Sequence, residues 1–332
     1  MRISVIGGGS WGTALANLLA KKSLSVTLWA YEADLVARMS LNRVNDLYLP
    51  GFPLSDNLSF TNSLAQAASD RDLLLLVPPS QMMRSVLEQA APHIDEKTLL
   101  VSASKGIENE SLMLMSEVLQ QVVGISEERQ VFLSGPSFAR EVSSEHPTAV
   151  VAASRHQNAA HIVQKTFCTD YFRVYTNDDI IGVELGGALK NVIALAAGVS
   201  DGLGFGDNTR AGLITRGLAE ISRMGQALGS NSKTFAGLTG MGDLVLTCAG
   251  DLSRNRTVGM ELGRGKKLSD ILAGMNMVAE GVKTTLSAYQ LARKIGVEAP
   301  VTEQMYHILY RDKDPRQAVS DLMLRSLKSE VC

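Results

Sequence analysis

Residues 1–20 read MRISVIGGGSWGTALANLLA and place Gly7, Gly8, Gly9 and Gly12 between a short apolar run and a stretch with helical spacing. Residues 3–6 read as a buried strand. Residues 13–20, with Leu15, Leu18 and Leu19 at helical intervals, read as a helix. Glycine clustered at such a joint leaves the main chain bare, so that something can approach it closely. Gly7, Gly9 and Gly12 fit GxGxxG: one glycine for a tight turn, one for the approach of a pyrophosphate, one for packing helix on strand. The free N–H groups of the helix start would hold the anion. The strand before and the helix after favour a dinucleotide loop over an ordinary glycine-rich turn.

The same βα rhythm continues through the first half of the chain. Apolar runs at 25–29, 73–77, 98–103, 131–133, 148–153 and 172–175 alternate with helical patterns, which predicts a doubly wound parallel sheet. Pro78 and Pro79 end one strand at the carboxyl edge, where such sheets bind ligands. Beyond residue 178 strand signals cease and helical periodicity takes over, with Asp178 or Asp179 as the first helix cap. The expected architecture is a Rossmann-type parallel α/β domain over 1–178, followed by an all-α substrate domain over 179–332.

A chain of 332 residues exceeds what one core usually serves, consistent with two domains. The net charge of −2 and the scattered Lys and Arg predict no nucleic-acid stripe and no attraction to anionic membranes. No leader pattern opens the chain, and no apolar run is expected to approach the length of a membrane span, so the reading is a cytoplasmic protein with a small-molecule substrate. Cys168, Cys248 and Cys332 form no CxxC, and the five histidines show no ligand spacing, so neither disulfides nor a metal is expected.

Lys190 stands out. It sits among Leu185, Leu189, Val192, Ile193 and Leu195, behind Gly186 and Gly187, each of which costs a helix about 1 kcal/mol relative to Ala. Partial desolvation, helped by a second cation such as Lys105, would lower its proton affinity and suit it to act as a base. The plainer reading is a lysine that snorkels to solvent. Lys105, the Ser134–Arg140 turn and the Asp251–Arg256 run likewise read individually as surface features.

Together the motifs carry more. GGGSWGTA at 7–14, ASKGIE at 103–108, SGPSFARE at 134–141, GVELGGALKNVIALAAGVSDGLGFGDN at 182–208, GLTGMGDLVLTC at 237–248, SRNR at 253–256 and VAEG at 278–281 resemble the bacterial-type NAD(P)-dependent glycerol-3-phosphate dehydrogenases across the whole chain. The resemblance implies interconversion of sn-glycerol 3-phosphate and dihydroxyacetone phosphate, a homodimer, and a role in supplying phospholipid precursors. It implies cofactor contacts from Ser10, Trp11, Tyr31, Lys105, Ala139, Arg254, Val278 and Glu280, beside the glycine loop. It implies substrate contacts from Lys105, Gly135, Ser137, Lys190, Asp243, Ser253, Arg254 and Asn255, with Lys190 the proton acceptor. Asp243, in the glycine-rich turn 240–243, reads as a group that orients Lys190 or the substrate hydroxyls.

Cofactor choice stays open at this stage. Residues 28–32, LWAYE, put no clear acid at the usual ribose position, while Glu32 points to NAD and Lys22, Arg38 or Arg43 to NADP. The resemblance tilts toward NADPH. Two other readings are a β-hydroxyacid dehydrogenase, which needs an Asn four residues beyond the lysine where this chain has Ala194, and a nucleotide sensor without turnover, which would have lost the lysine, aspartate and arginine clusters.

Overall fold

The computed structural model describes residues 1–275, 279–327 and 329–330. An eight-stranded sheet is built from β1 (Arg2–Ile6), β2 (Ser25–Trp29), β5 (Leu58–Thr61), β6 (Leu73–Leu76), β7 (Leu99–Ser102), β8 (Gln130–Ser134), β9 (Thr148–Ala153) and β10 (Phe172–Asn177). Its order is β10-β9-β8-β7-β6-β1-β2-β5, and β3 (Val44–Asn45) and β4 (Leu49–Pro53) form a separate hairpin. Every strand expected from the sequence is present. The short edge strand β5 and the hairpin were not anticipated.

One expectation is corrected. The sheet is not wholly parallel, because β9 runs antiparallel to β8 and β10 then pairs parallel to β9. The 135–147 connection holds only the short helix Ala139–Ser143, so the chain turns back instead of crossing over. A full helix, Gln157–Phe167, restores the parallel step to β10.

After β10 the described chain is helical. Its axis is Ile180–Gly202, whose start is capped by Asp179 Oδ1 accepting from Gly182 N at 2.9 Å. This 23-residue helix has mean hydropathy 1.6 over its most apolar window, which also corrects the expectation that no apolar run reaches membrane-spanning length. That window is 94% buried inside the protein, so the helix forms the core of the second half. Glycines let the Arg254–Gly263 helix lie directly on it: a Cβ at Gly198 would stand 2.0 Å from the Arg256 carbonyl oxygen, and one at Gly259 2.1 Å from that of Leu195. This close packing carries the start of the second helix to the lysine-bearing face of the first.

Candidate active site

The glycine loop has the geometry its spacing predicts. Gly7 has φ +128°, and a Cβ there would meet the Val77 carbonyl oxygen at 2.7 Å, while one at Gly12 would fall 1.9 Å from the Gly7 oxygen. Gly9 precedes the Ser10–Lys21 helix and has nothing within 4 Å of its Cβ position. Open space therefore faces the unpaired N–H groups at the helix start, the arrangement that a pyrophosphate needs. The loop residues fit a dinucleotide on this ground.

We expect Gly9→Val to fold normally, since φ −67° and ψ 178° suit any residue, yet to lose cofactor binding because its branches fill the phosphate space. Titration of protein fluorescence with NADH checks this, and undiminished binding by the folded variant would refute the loop assignment.

The loop opens one wall of a cleft of about 750 Å³. Gly7, Gly9, Ser10, Trp11, Gly12, Tyr31, Lys105, Ser137, Ala139, Lys190, Ser253, Arg254, Asn255 and Glu280 all line it, although they span most of the chain. Of the residues expected from sequence, Gly135 and Asp243 lie outside the lining, and Val278 falls outside the described residues. Cys332 falls outside them as well.

Asp243 sits behind the cleft wall, fully buried, where it organises the lysines. Lys190 Nζ donates to its Oδ1 at 2.6 Å and to Thr247 Oγ1 at 2.8 Å, and Lys105 Nζ donates to its Oδ2 at 2.6 Å and to the Gly135 oxygen at 3.0 Å. Asp243 thus holds both lysines from behind the lining of the cleft. The Gly186–Gly187 gap explains itself here. A Cβ at Gly186 would meet the Thr239 oxygen at 2.5 Å, and one at Gly187 would meet Ser134 Oγ at 2.7 Å and the Lys105 stem at 3.4 Å. The bare turn lets both the Leu238–Gly242 segment and Lys105 close on Lys190.

Lys190 is 8% exposed. Burial lowers its pKa to about 8, against the pull of Asp243 and with the help of Lys105. Burial alone would raise the Asp243 carboxyl, but the two ammonium groups outweigh it and hold the pKa below its ordinary value. A lysine at this value exchanges its proton near neutrality, whereas a snorkelling lysine would not.

Also lining the cleft, Ser253 Oγ caps the Arg254–Gly263 helix by accepting from Arg256 N at 3.2 Å. Asn255 donates to Asn191 Oδ1 and accepts from Gly281 N, both at 3.0 Å, so its amide joins three elements. Arg256 is structural: its Nε donates to Asp201 Oδ2 at 2.8 Å and its Nη1 to Asp251 Oδ1 at 2.9 Å. Arg254 lines the cleft, its pKa lowered by burial and supported by the Glu280 charge. Glu280, half-buried at the cleft and raised in pKa by desolvation, accepts from Ser80 N at 3.2 Å.

Sequence reasoning missed three polar features. Thr247 follows Asp243 by four residues, a helical interval that was available as a signal. Glu184 is buried, accepts from Ser116 N at 2.9 Å and from Ser116 Oγ at 2.5 Å, and is pushed up by burial to about 8. Tyr48 bonds Glu32. Neither of the last two pairs leaves a local trace. Among the described residues no group of three or more His, Cys, Asp and Glu side chains is arranged to hold a metal ion.

A glycine loop of dinucleotide-binding geometry on an α/β sheet, sharing one cleft with a lysine–aspartate–lysine cluster that joins the sheet half to the helical half, defines a pyridine-nucleotide oxidoreductase class of site. Comparison with known proteins narrows it. The family described as "NAD-dependent glycerol-3-phosphate dehydrogenase N-terminus" matches residues 2–160, and its C-terminal counterpart matches 179–320. A glycerol-3-phosphate dehydrogenase (NAD(P)+) of Syntrophotalea carbinolica is 63% identical over 332 residues, covering 100% of both chains. One from Geobacter sulfurreducens is 63% identical over 331 residues, covering 99% of this chain and 98% of the relative. The crystal structure of glycerol-3-phosphate dehydrogenase from Coxiella burnetii superposes with TM-score 0.94 at 41% identity, covering 98% of this chain and 99% of that one. The chain belongs to the NAD-dependent glycerol-3-phosphate dehydrogenase family.

Proposed function

We propose that this protein interconverts sn-glycerol 3-phosphate and dihydroxyacetone phosphate with NAD(H) or NADP(H). The observation that carries the reading is the Lys190–Asp243–Lys105 cluster, with Lys190 lining the same cleft as the glycine loop. When bound, the nicotinamide supplies or accepts the hydride. Lys190 Nζ takes the proton of the secondary hydroxyl during oxidation and returns it to the carbonyl oxygen during reduction. Asp243 and Thr247 hold that ammonium in place, and Lys105 adds positive charge where negative charge develops on the oxygen.

The substrate phosphate is assigned to the start of the Arg254–Gly263 helix, where the helix N-terminus and the Arg254 guanidinium offer positive charge and donors. Binding there supplies energy remote from the reacting carbon. Ser137, whose hydroxyl donates to the Gly135 oxygen at 2.9 Å, borders the same space.

Arg254→Ala tests the assignment. A charge-assisted bond is worth about 1.5–3 kcal/mol, so KM for dihydroxyacetone phosphate rises about 10- to 150-fold while kcat falls less. An unchanged KM would remove Arg254 from the phosphate site.

We further propose a domain boundary near residue 178, supported by β10 ending at Asn177 and the core helix starting at Ile180. The homodimer and the supply of phospholipid precursors are carried over from the family resemblance, and the cytoplasmic setting from the sequence reading. Sedimentation of the purified chain at a monomer mass would contradict the dimer.

A further inference from the structure

The tip of β2 bears on which coenzyme the cleft prefers. Glu32 lines the cleft two residues beyond Ala30, and Ala30 abuts the phosphate loop, since a Cβ at Gly8 would stand 2.5 Å from its own Cβ. Tyr48 Oη donates to Glu32 Oε1 at 2.7 Å, and that bond, with burial, raises the phenol to about 12. Tyr48 is itself fixed, its backbone N–H donating to Asn45 Oδ1 at 2.9 Å. Asn45, fully buried, donates its amide to the Gly8 oxygen and to Thr13 Oγ1, both at 2.8 Å. A continuous chain of hydrogen bonds therefore runs from the phosphate loop to the Glu32 carboxylate. A carboxylate has several acceptor sites, so Tyr48 leaves capacity for a ribose hydroxyl.

The cations that a 2′-phosphate would call for are engaged elsewhere. Lys22 Nζ donates to the Thr166 and Cys168 carbonyl oxygens at 2.7 and 2.6 Å. Arg38 bridges Asp34 and Asp46 at 2.5 and 2.9 Å, and Arg43 donates to the Leu58 oxygen at 2.9 Å and to that of Ser55. None of the three lines the cleft. Lys105, Lys190 and Arg254 belong to its reacting end. Arg140 remains, lying 5.6 Å over the Phe52 ring.

We propose that Glu32, positioned by Tyr48, makes this chain select NAD(H) over NADP(H), opposite to the NADPH tilt of the resemblance. The inference rests on the dehydrogenase reading above. Glu32 accepts from the ribose hydroxyls and repels the dianionic 2′-phosphate, so discrimination combines an attractive and a repulsive element.

Calorimetric titration with NADH and NADPH in parallel tests it on the wild type and on Glu32→Gln, Tyr48→Phe and Arg140→Gln. The wild type binds NADH at least about tenfold more tightly, as expected for like charges placed together. Glu32→Gln narrows the ratio chiefly by tightening NADPH. Tyr48→Phe narrows it by weakening NADH, a change in selectivity that general loosening of the fold would not produce. Arg140→Gln leaves the ratio unchanged. Equal or tighter NADPH binding by the wild type overturns the proposal, as does an unaltered ratio in Glu32→Gln, and loss of a wild-type NADPH preference in Arg140→Gln would reassign the 2′-phosphate to that arginine. Binding of neither coenzyme by the folded protein would overturn the dehydrogenase reading and this proposal with it.

Discussion

Replacing Lys190 by Met is expected to lower kcat by at least about 10²–10⁴-fold, the usual contribution of a positioned acid or base. The variant keeps most of the stem and its packing against the apolar helix but cannot exchange a proton. It also leaves Asp243 paired with Lys105, so the buried carboxylate is not stranded. Coenzyme affinity changes little, because the phosphate loop is built from other elements. In the wild type the sign of the pH dependence follows from the lysine. Oxidation needs the neutral amine, so its rate rises with pH through about 8, while reduction needs the ammonium and falls over the same range. A folded Lys190→Met protein with near-normal kcat across that range would make the lysine structural.

Asp243→Asn is expected to damage both stability and rate. The carboxylate, itself fully buried, pairs with two ammonium groups at 2.6 Å. Removing one partner of a buried ion pair costs about 3–5 kcal/mol, because the remaining charge stays desolvated. The melting temperature should therefore fall by several degrees. The remaining activity shifts in a telling direction. Asp243 holds the Lys190 pKa up, so its loss lets burial and Lys105 push that pKa down, and the oxidative limb moves to lower pH. A limb that moves upward, or a variant with wild-type stability, would show that Asp243 is not the counter-charge described here.

The phosphate loop and Lys190 were legible for the same reason: each carries its signal within one short segment. Strand, glycines and helix follow one another within the first 21 residues, and a charge embedded in an apolar helix behind two glycines is costly unless used. The sequence alone did not reveal that those glycines admit Thr239 and Lys105, since both contacts are tertiary. The reversal of β9 escaped for a related reason, because an apolar strand of six residues looks the same in either direction and only the short helix before it decides. Edge strand β5, with Leu58 and Thr61 buried and Ser59 exposed, was too brief to separate from a loop. Tyr48 and Glu184 were invisible because their partners lie 16 and 68 residues away. The sequence offered Asp243 as an orienting group, but its dual hold on Lys105 and Lys190 emerges only when three segments meet.

The most direct measurement is the rate of NADH oxidation at 340 nm by the wild-type protein, with dihydroxyacetone phosphate and with unphosphorylated dihydroxyacetone in separate cuvettes. The account predicts rapid oxidation with the phosphate ester and a kcat/KM lower by about 10-fold or more without it, the value of at least one charge-assisted phosphate contact. Equal kcat/KM for the two, or no oxidation of NADH or NADPH with the ester by folded protein, would contradict it.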